Sequence, residues 1–347
     1  MNVAIIGAGA VGSASAWHIS RRGYKVTLFE QFDRGHRLGS SHGSSRIIRK
    51  AYQDPLYAEL MNEVFPLWRE LEEAAGETLY NQTGILVFGK PDSEYYHSTR
   101  ETLMSLKENY DILGHINVAK RFGGFHIDPD EEAIFQPEAG YLLADRCIEA
   151  CLNLASGNGA ELHFNTRADL SLLTQEFDAV IVCAGPWMPN ILASYGFEAE
   201  LNARLQRFAY FDAPMEPGIP VWIDGSDDHF YGFPDYGNGF KVGRHLYGPA
   251  FDADGDRPSD DESLQAIAKE ARRRIGADVM LQSHDCVYTV TPNEDFRLGE
   301  IPADVPVYWA SPCSGHGFKF AIWFGRLMAD LVDGKQGVGD WPRFMVK

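Results

Sequence analysis

Apolar and polar residues alternate along the chain with a period that changes from segment to segment. Asn2 to Ile6 is a short apolar run. Gly7-Ala8-Gly9-Ala10-Val11-Gly12 follows, and then small and apolar residues at helical spacing up to Arg22. Gly23 stops that helix, and Lys25 to Phe29 is a second apolar run that ends on Glu30. The pattern predicts strand, tight turn, helix, strand, with an acid at the tip of the second strand. Gly7 permits the turn, Gly9 lets a pyrophosphate approach the backbone, and Gly12 lets the helix lie close to the strand. The free N–H groups and positive end of the helix face the phosphates. Glu30 is placed to accept hydrogen bonds from a ribose diol. A bound dinucleotide is expected. The motif alone does not separate FAD from NAD, although an acid at this position argues against a 2′-phosphate.

Further along, Gln31 to Ser45 is a loop rich in Gly, Ser and His, placed to lie over a cofactor. Arg46 and Arg49 bracket an Ile-Ile pair, which points to partial burial. Pro55 opens an amphipathic helix marked by Leu56, Leu60, Val64, Leu67, Trp68 and Leu71. Gly84 to Phe88 reads as a strand, Ser93 to Tyr110 as a polar-faced helix, Asp145 to Ser156 as a helix and Leu162 to Phe164 as a strand. Asp178 to Cys183 is a fully apolar strand running into Ala184-Gly185, where backbone again comes close to a ligand at the carboxyl edge of a parallel sheet. From Arg204 to Gly243 short strand-like runs alternate with turns, which predicts an antiparallel sheet. Ser263 to Ile275 is a helix and Cys286 to Val290 a strand. Val307 to Ala310, the turn Ser311 to Gly317 and a helix Phe318 to Val332 repeat the strand–glycine turn–helix form of the N-terminus. Such a turn can aim a helix's positive end at an anion.

These elements predict an α/β protein with two units. The expected cofactor-binding unit is discontinuous, residues 1–80, 141–203 and 287–347, and Rossmann-like. Residues 81–140 and 204–286 form an α+β substrate unit built on the antiparallel sheet. At 347 residues the chain can bury a large core. The formal net charge of −18 repels nucleic acid and anionic membranes, so neither is an expected partner. The first strand starts at once, with no secretory signal, and no apolar run is long enough to span a bilayer. Five cysteines without framework spacing suit a reducing, cytoplasmic setting. Cys147 and Cys151, four apart on a helix, read as small core residues rather than a metal or disulfide pair. No metal site is expected.

The stretches GAGAVGSASAWHIS, GSSHGSSRIIRKAY, TGILVFG, FYGFPDYGNGFKVGRH, DCVYTVTPNEDF and CSGHGFKFA resemble the monomeric sarcosine oxidase and N-methyltryptophan oxidase family, within the D-amino-acid oxidase-like flavoproteins. They occur in the family's order from residue 3 to about residue 321. The resemblance implies FAD, a glutathione-reductase-type cofactor domain, a small amino acid substrate, dioxygen as acceptor and a monomer. Position by position, it implies that Cys286 forms a thioether to the flavin 8α-methyl carbon. Arg49 and Lys319 would hold the substrate carboxylate, and Lys241 would promote reaction with oxygen. Arg46 and His42 would lie near the flavin. Tyr231, His245 and Tyr288 would line the substrate cavity. Gly315, His316, Gly317 and Lys319 would form the turn at the pyrimidine end. Ser45 falls in the cofactor loop, but Ser44-Ser45 departs from the more polar pair, ending in threonine, found in close relatives. Arg244 before His245 is a second departure. A flavin dehydrogenase passing electrons to a partner, a non-catalytic nucleotide-binding module and an NAD-linked dehydrogenase are the alternative readings.

Overall fold

In the computed structural model, residues 1–197, 199–215 and 218–345 are described. Glu198, Glu216, Pro217, Val346 and Lys347, which fall within the expected units, lie outside the described residues.

Six strands form one sheet in the order Arg297–Glu300, Val307–Ser311, Ala179–Val182, Asn2–Ile6, Lys25–Phe29 and Glu161–His163. All neighbours are parallel except the outermost pair, Arg297–Glu300 with Val307–Ser311. The two central strands are apolar and buried because helices and loops cover both faces of a parallel sheet. The helix Ala10–Ser20 packs against Ala321–Val332 and Ala144–Gly157. Small residues make that approach possible: a Cβ on Gly325 would stand 2.6 Å from Ala14. The N-terminal and C-terminal modules are thus clamped together, and their glycine turns open on the same sheet edge.

Eight strands form the second sheet, in the order Val279–Val290, Asn202–Asp212, Phe240–Arg244, Phe230–Phe233, Val221–Asp224, Ile85–Gly89, Glu132–Gln136 and Asp111–Gly114. It is antiparallel except where Val221–Asp224 meets Ile85–Gly89. A small third sheet places Gly140–Leu142 between Arg46–Ile48 and Tyr80–Asn81. The Rossmann-like sheet and the antiparallel sheet are those expected. Some boundaries differ. The strand expected at Cys286 starts at Val279, seven residues earlier, because its first half lies exposed at the sheet edge and carries no burial pattern. A division after Val290 therefore follows the sheets better than one after Cys286. The helix expected to reach Tyr110 ends at Ser105, and Lys107 takes the left-handed region with φ of 56°. The last helix begins with a tight turn at Phe318–Phe320 before Ala321–Val332. Cys147 and Cys151 are free thiols in the hydrophobic core, as read from the sequence. No helix among the described residues is long and apolar enough to cross a membrane.

The helix Asp261–Ile275 is locked to the second sheet by Arg274, which is 1 % exposed. Its guanidinium donates to Glu131 at 2.7 and 3.1 Å and to Glu270 at 2.6 Å, lies 3.5 Å from Asp224, and sits over the Phe88 ring. Burial disfavours the charge, but hydrogen bonds and charge from Glu131 and Glu270 outweigh it and raise the arginine's pKa. Removing one partner of a buried ion cluster strands the others without solvent. Arg274→Ala is expected to lower unfolding free energy by about 3–5 kcal/mol, read as the midpoint shift in urea.

Candidate active site

The turn after the first strand is built as the sequence predicts. Gly7 has φ of +100°, and a Cβ there would lie 2.5 Å from the Cys183 carbonyl oxygen. A Cβ on Gly12 would lie 1.8 Å from the Gly7 carbonyl oxygen, so the helix can start so near the turn only with glycine at that position. Gly9 faces the loop instead. The Ser41 hydroxyl accepts the Ala10 N–H at 3.0 Å and serves as the cap that glycine cannot provide. Glu30 lines the cavity beside this turn. One of its oxygens accepts the Ala8 N–H at 2.9 Å and the other accepts the Phe32 N–H at 3.0 Å. Burial opposes its ionisation, but the hydrogen bonds from His36, Ala8 and Phe32 prevail and hold its carboxyl below the usual range. Glu30 is thus fixed as an ionised acceptor at the tip of the second strand.

One cavity of about 1290 Å³ runs from Gly7, Gly9 and Glu30, past Ala184 and Gly185, to Lys241 and His245. That exceeds the roughly 300–1,000 Å³ usual for a single small-molecule pocket. A dinucleotide with a small substrate at its end suits both length and lining. Arg46, Arg49, Lys241 and Lys319 all face this cavity, and among the described residues none forms a salt bridge with a carboxylate. Arg46 donates to the carbonyls of Ser40, His42 and Ser45 at 2.7–2.9 Å, which ties down the loop Gly39 to Ser45. Arg49 is 8 % exposed. Its Nη2 reaches Tyr95 Oη at 3.2 Å, its guanidinium stacks 4.2 Å over the Tyr52 ring, and its Nη1 is buried without a partner. Lys319 Nζ donates to Tyr52 Oη and to the His316 carbonyl, both at 2.8 Å. Burial, then the Arg49 charge, pushes the Lys319 pKa well down. Lys241 lies between the Phe208 and Phe233 rings at 4.3 and 4.8 Å, with only Ser45 O and Oγ within reach at 3.3 and 3.4 Å. Burial, then Arg46, pushes it down as well. A cavity that holds such groups short of partners is built to receive an anion or developing negative charge.

Neutral groups complete the walls. Burial lowers both His42 and His245 to about 3, so each is an uncharged imidazole at neutral pH. His42 Nε2 is buried and unpartnered. His316 takes Glu294 O at 3.0 Å, stacks on Phe296 and is also held neutral by burial and by Lys319. Tyr231 is pushed up to about 12 by burial and the neighbouring Cys286, and Tyr288 is pushed up by burial. Gly315, at φ of +77°, is packed under this wall: a Cβ would meet His245 at 2.3 Å and Tyr288 at 2.4 Å. A Cβ on Gly317 would strike the Pro312 carbonyl at 1.6 Å. Cys286 is buried on the cavity wall, with Arg46 Nη2 3.8 Å from its sulfur. Cys313, the competing thiol, instead accepts the Thr289 N–H at 3.2 Å.

All the residues singled out from sequence line this one cavity except Gly12, which stands behind the turn. Sequence reading missed several others. Tyr52 sits between Arg49 and Lys319, and its place at the end of the RIIRKAY stretch was a usable signal. Tyr95 and Tyr247 also line the cavity, the first from a helix that reads as merely polar-faced. Trp68, taken only as a core residue, donates its Nε1–H to the Lys319 carbonyl at 2.7 Å and fixes that turn.

The model of the family described as FAD dependent oxidoreductase, DAO, matches residues 2–331. The chain belongs to that family. It is 31% identical over 363 residues to a monomeric sarcosine oxidase of an Arthrobacter species, covering 96% of this chain and 93% of that one. With an N-methyl-L-tryptophan oxidase of Yersinia pestis it shares 25% over 360 residues, 98% and 97% of the two chains. Among solved structures it is similar to NikD, an unusual amino acid oxidase essential for nikkomycin biosynthesis, with a TM-score of 0.85, 23% identity and 99% and 97% coverage. It is thus an FAD-dependent enzyme of the amine and amino acid oxidase type, with a D-amino-acid oxidase-like fold. Because Gly12 touches the Gly7 carbonyl, Gly12→Ala is expected to lose about 1–3 kcal/mol of FAD binding. The ratio of flavin to protein absorbance in the purified variant measures the loss.

Proposed function

We propose that the enzyme oxidises a secondary or N-methyl amino acid to an imine, which water hydrolyses, and passes the electrons to dioxygen to give hydrogen peroxide. The observation that carries this reading is Arg49 Nη1, buried and unpaired beside Lys319 in the cavity that Lys241 and Cys286 also line. FAD, when bound, supplies the hydride acceptor. Cys286 would hold it covalently, and the Gly7–Gly12 turn, Glu30, His42, Ser45, Ala184, Gly185 and the Gly315–Lys319 turn would surround it. The names of the relatives support an N-methyl amino acid and a monomer, and the five free cysteines suit the cytoplasm.

Within this reading the chain supplies position and charge. Arg49 offers a fork of N–H donors to the substrate carboxylate, and Lys319 adds a point charge. Tyr52, held under Arg49 and bonded to Lys319, keeps the two cations apart. The wall of Tyr231, His245 and Tyr288 excludes water from the reacting C–H bond, which protects a hydride transfer. No carboxylate stands in that wall, and His245, lowered to about 3, is too weak a base to take the proton, so the amine enters neutral and loses its proton on oxidation. Lys241 places a cation where reduced oxygen gathers negative charge.

Three outcomes test the assignment. Yellow colour is expected to stay with the denatured chain, with one FAD of added mass, and Cys286→Ser is expected to release it. Lys241→Met is expected to slow reoxidation by oxygen about a hundredfold while flavin reduction by the amine changes far less; equal losses would remove Lys241 from the oxygen step. The third concerns pH. Lys319 is depressed in the free site, and a bound carboxylate raises it. Affinity for an unreactive acid such as acetate is then constant below the depressed pKa. Above it, binding takes up a proton and weakens as pH rises, down to the level of Lys319→Met. Calorimetry in buffers of different ionisation enthalpy reads that uptake.

A further inference from the structure

Lys241 is 2 % exposed and Ser45 is fully buried, yet the lysine does not end in a dead pocket. Lys241 Nζ contacts Ser45 Oγ at 3.4 Å. Tyr236 Oη donates to Ser45 Oγ at 2.7 Å, Ser44 Oγ shares a hydrogen with Tyr236 Oη at 2.8 Å, and Ser44 Oγ does the same with Tyr210 Oη at 2.6 Å. Ser44 and Tyr236 are half-buried, so solvent reaches the outer members. Ser44 and Ser45 supply two of the links. Every link is a hydroxyl, which can donate and accept at once by rotating its hydrogen.

We propose that Ser45, Tyr236 and Ser44 form a proton wire that recharges Lys241 from solvent during the oxygen half-reaction. The idea rests on the oxidase reading above. Reduction of dioxygen to hydrogen peroxide consumes two electrons and two protons. The hydride removed from the amine carries both electrons and one proton, so one more proton is needed. A Lys241 N–H bond breaks as the peroxide's second O–H bond forms. The neutral amine then accepts a hydrogen bond from Ser45, whose proton moves to Nζ. Tyr236 reprotonates Ser45, Ser44 reprotonates Tyr236, and solvent reprotonates Ser44. The amine's own N–H proton leaves to solvent with the imine, which closes the balance. Tyr210 is a side branch that orients Ser44.

Among the described residues no side chain other than Ser45 is hydrogen-bonded to Lys241 Nζ. The faces of Lys241 are covered by Phe208 and Phe233, and the charged or ionisable groups near it are Arg46, Asp145, His42, His284 and Cys286, the last a thioether once it holds FAD. Asp145 is itself occupied in accepting the Gly43 N–H at 2.8 Å, and the Arg46 guanidinium has no proton to give. Burial depresses the lysine, so a proton once given up is not regained for free.

Two measurements on the FAD-loaded enzyme test the wire. In the first, oxidised enzyme without amine or turnover is jumped from alkaline to neutral pH, and the flavin absorbance follows the charge on Lys241. Wild type is expected to respond within the mixing time. Tyr236→Phe is expected to show an added phase at least about tenfold slower, and Lys241→Met no such phase. In the second, photoreduced enzyme is mixed with oxygen, which avoids any choice of substrate. Tyr236→Phe is expected to reoxidise about tenfold more slowly. If Tyr236→Phe does not fold or hold FAD, Ser44→Ala cuts the wire one link further out. Identical pH-jump kinetics in wild type and the cut variant would overturn the wire while leaving the oxidase intact. Failure of photoreduced wild type to consume oxygen would instead overturn the oxidase reading.

Discussion

The site depends on a charge imbalance kept out of water. In a chain of net charge −18, Arg46, Arg49, Lys241 and Lys319 face one cavity, and among the described residues no carboxylate forms a salt bridge with them. Burying a cation costs several kcal/mol unless a partner repays it. The protein is able to do so elsewhere. Lys50, next to Arg49 in sequence, has Glu108 at 3.1 Å and Glu138 at 3.3 Å, and Arg274 has its acidic cluster. The missing partners around Arg49, Lys241 and Lys319 are therefore a property of the cavity and not of a chain short of acids. What completes them must come from outside.

Such groups would retreat to solvent if the backbone let them, and the scaffold prevents it. Gln136 Oε1 accepts the N–H of both Lys50 and Ala51 and pins the segment that carries Arg49 and Tyr52. Trp68 pins Lys319 by its carbonyl. Lys241 is fixed in the middle of the second sheet, paired with Phe233 on one side and Tyr210 on the other. Each cation thus comes from a different layer: a loop beside the small sheet, the turn before the last helix, and the antiparallel sheet. The clamp of Ala10–Ser20 against Ala321–Val332 fixes the cofactor turn relative to the turn that carries Lys319.

Local physics made part of this legible from residues alone. The Gly7–Gly12 turn, the acid at its second strand tip and the buried apolar strand at Ala179–Val182 announce themselves by steric need and by hydrophobic runs. The antiparallel sheet was readable where strands alternate with turns. Pairings that join distant segments were not. Arg46–Ile48 beside Gly140–Leu142 is three residues long, and Val279–Leu281 sits exposed on an edge, so neither leaves a pattern. For the site, the positions of Arg49, Lys241, Cys286 and Lys319 came from resemblance, since a lone basic residue or cysteine looks the same in a core or on a surface. Tyr95 carried no signal because only the tertiary fold gives it neighbours. Glu30 shows a finer limit. Its type and place were readable, but His36 and the two backbone amides that hold it ionised are brought to it only by the fold.

The same imbalance discriminates between the readings of the sequence. A module that only bound a nucleotide needs the glycine turn, the helix end and Glu30, all of which satisfy phosphate and ribose with backbone and one acid. It gains nothing from Arg49 and Lys319 at the far end of the cavity, and it would bear their desolvation cost at every moment. Residues that lower stability without serving the fold mark places where function has been selected against it. An electron-passing dehydrogenase could use Arg49 and Lys319 for its substrate, but it needs reduced oxygen neither stabilised nor protonated. Lys241, sandwiched between two aromatic rings and joined to hydroxyls that lead outward, fits the proposed reaction with oxygen, in which charge and a proton are both required.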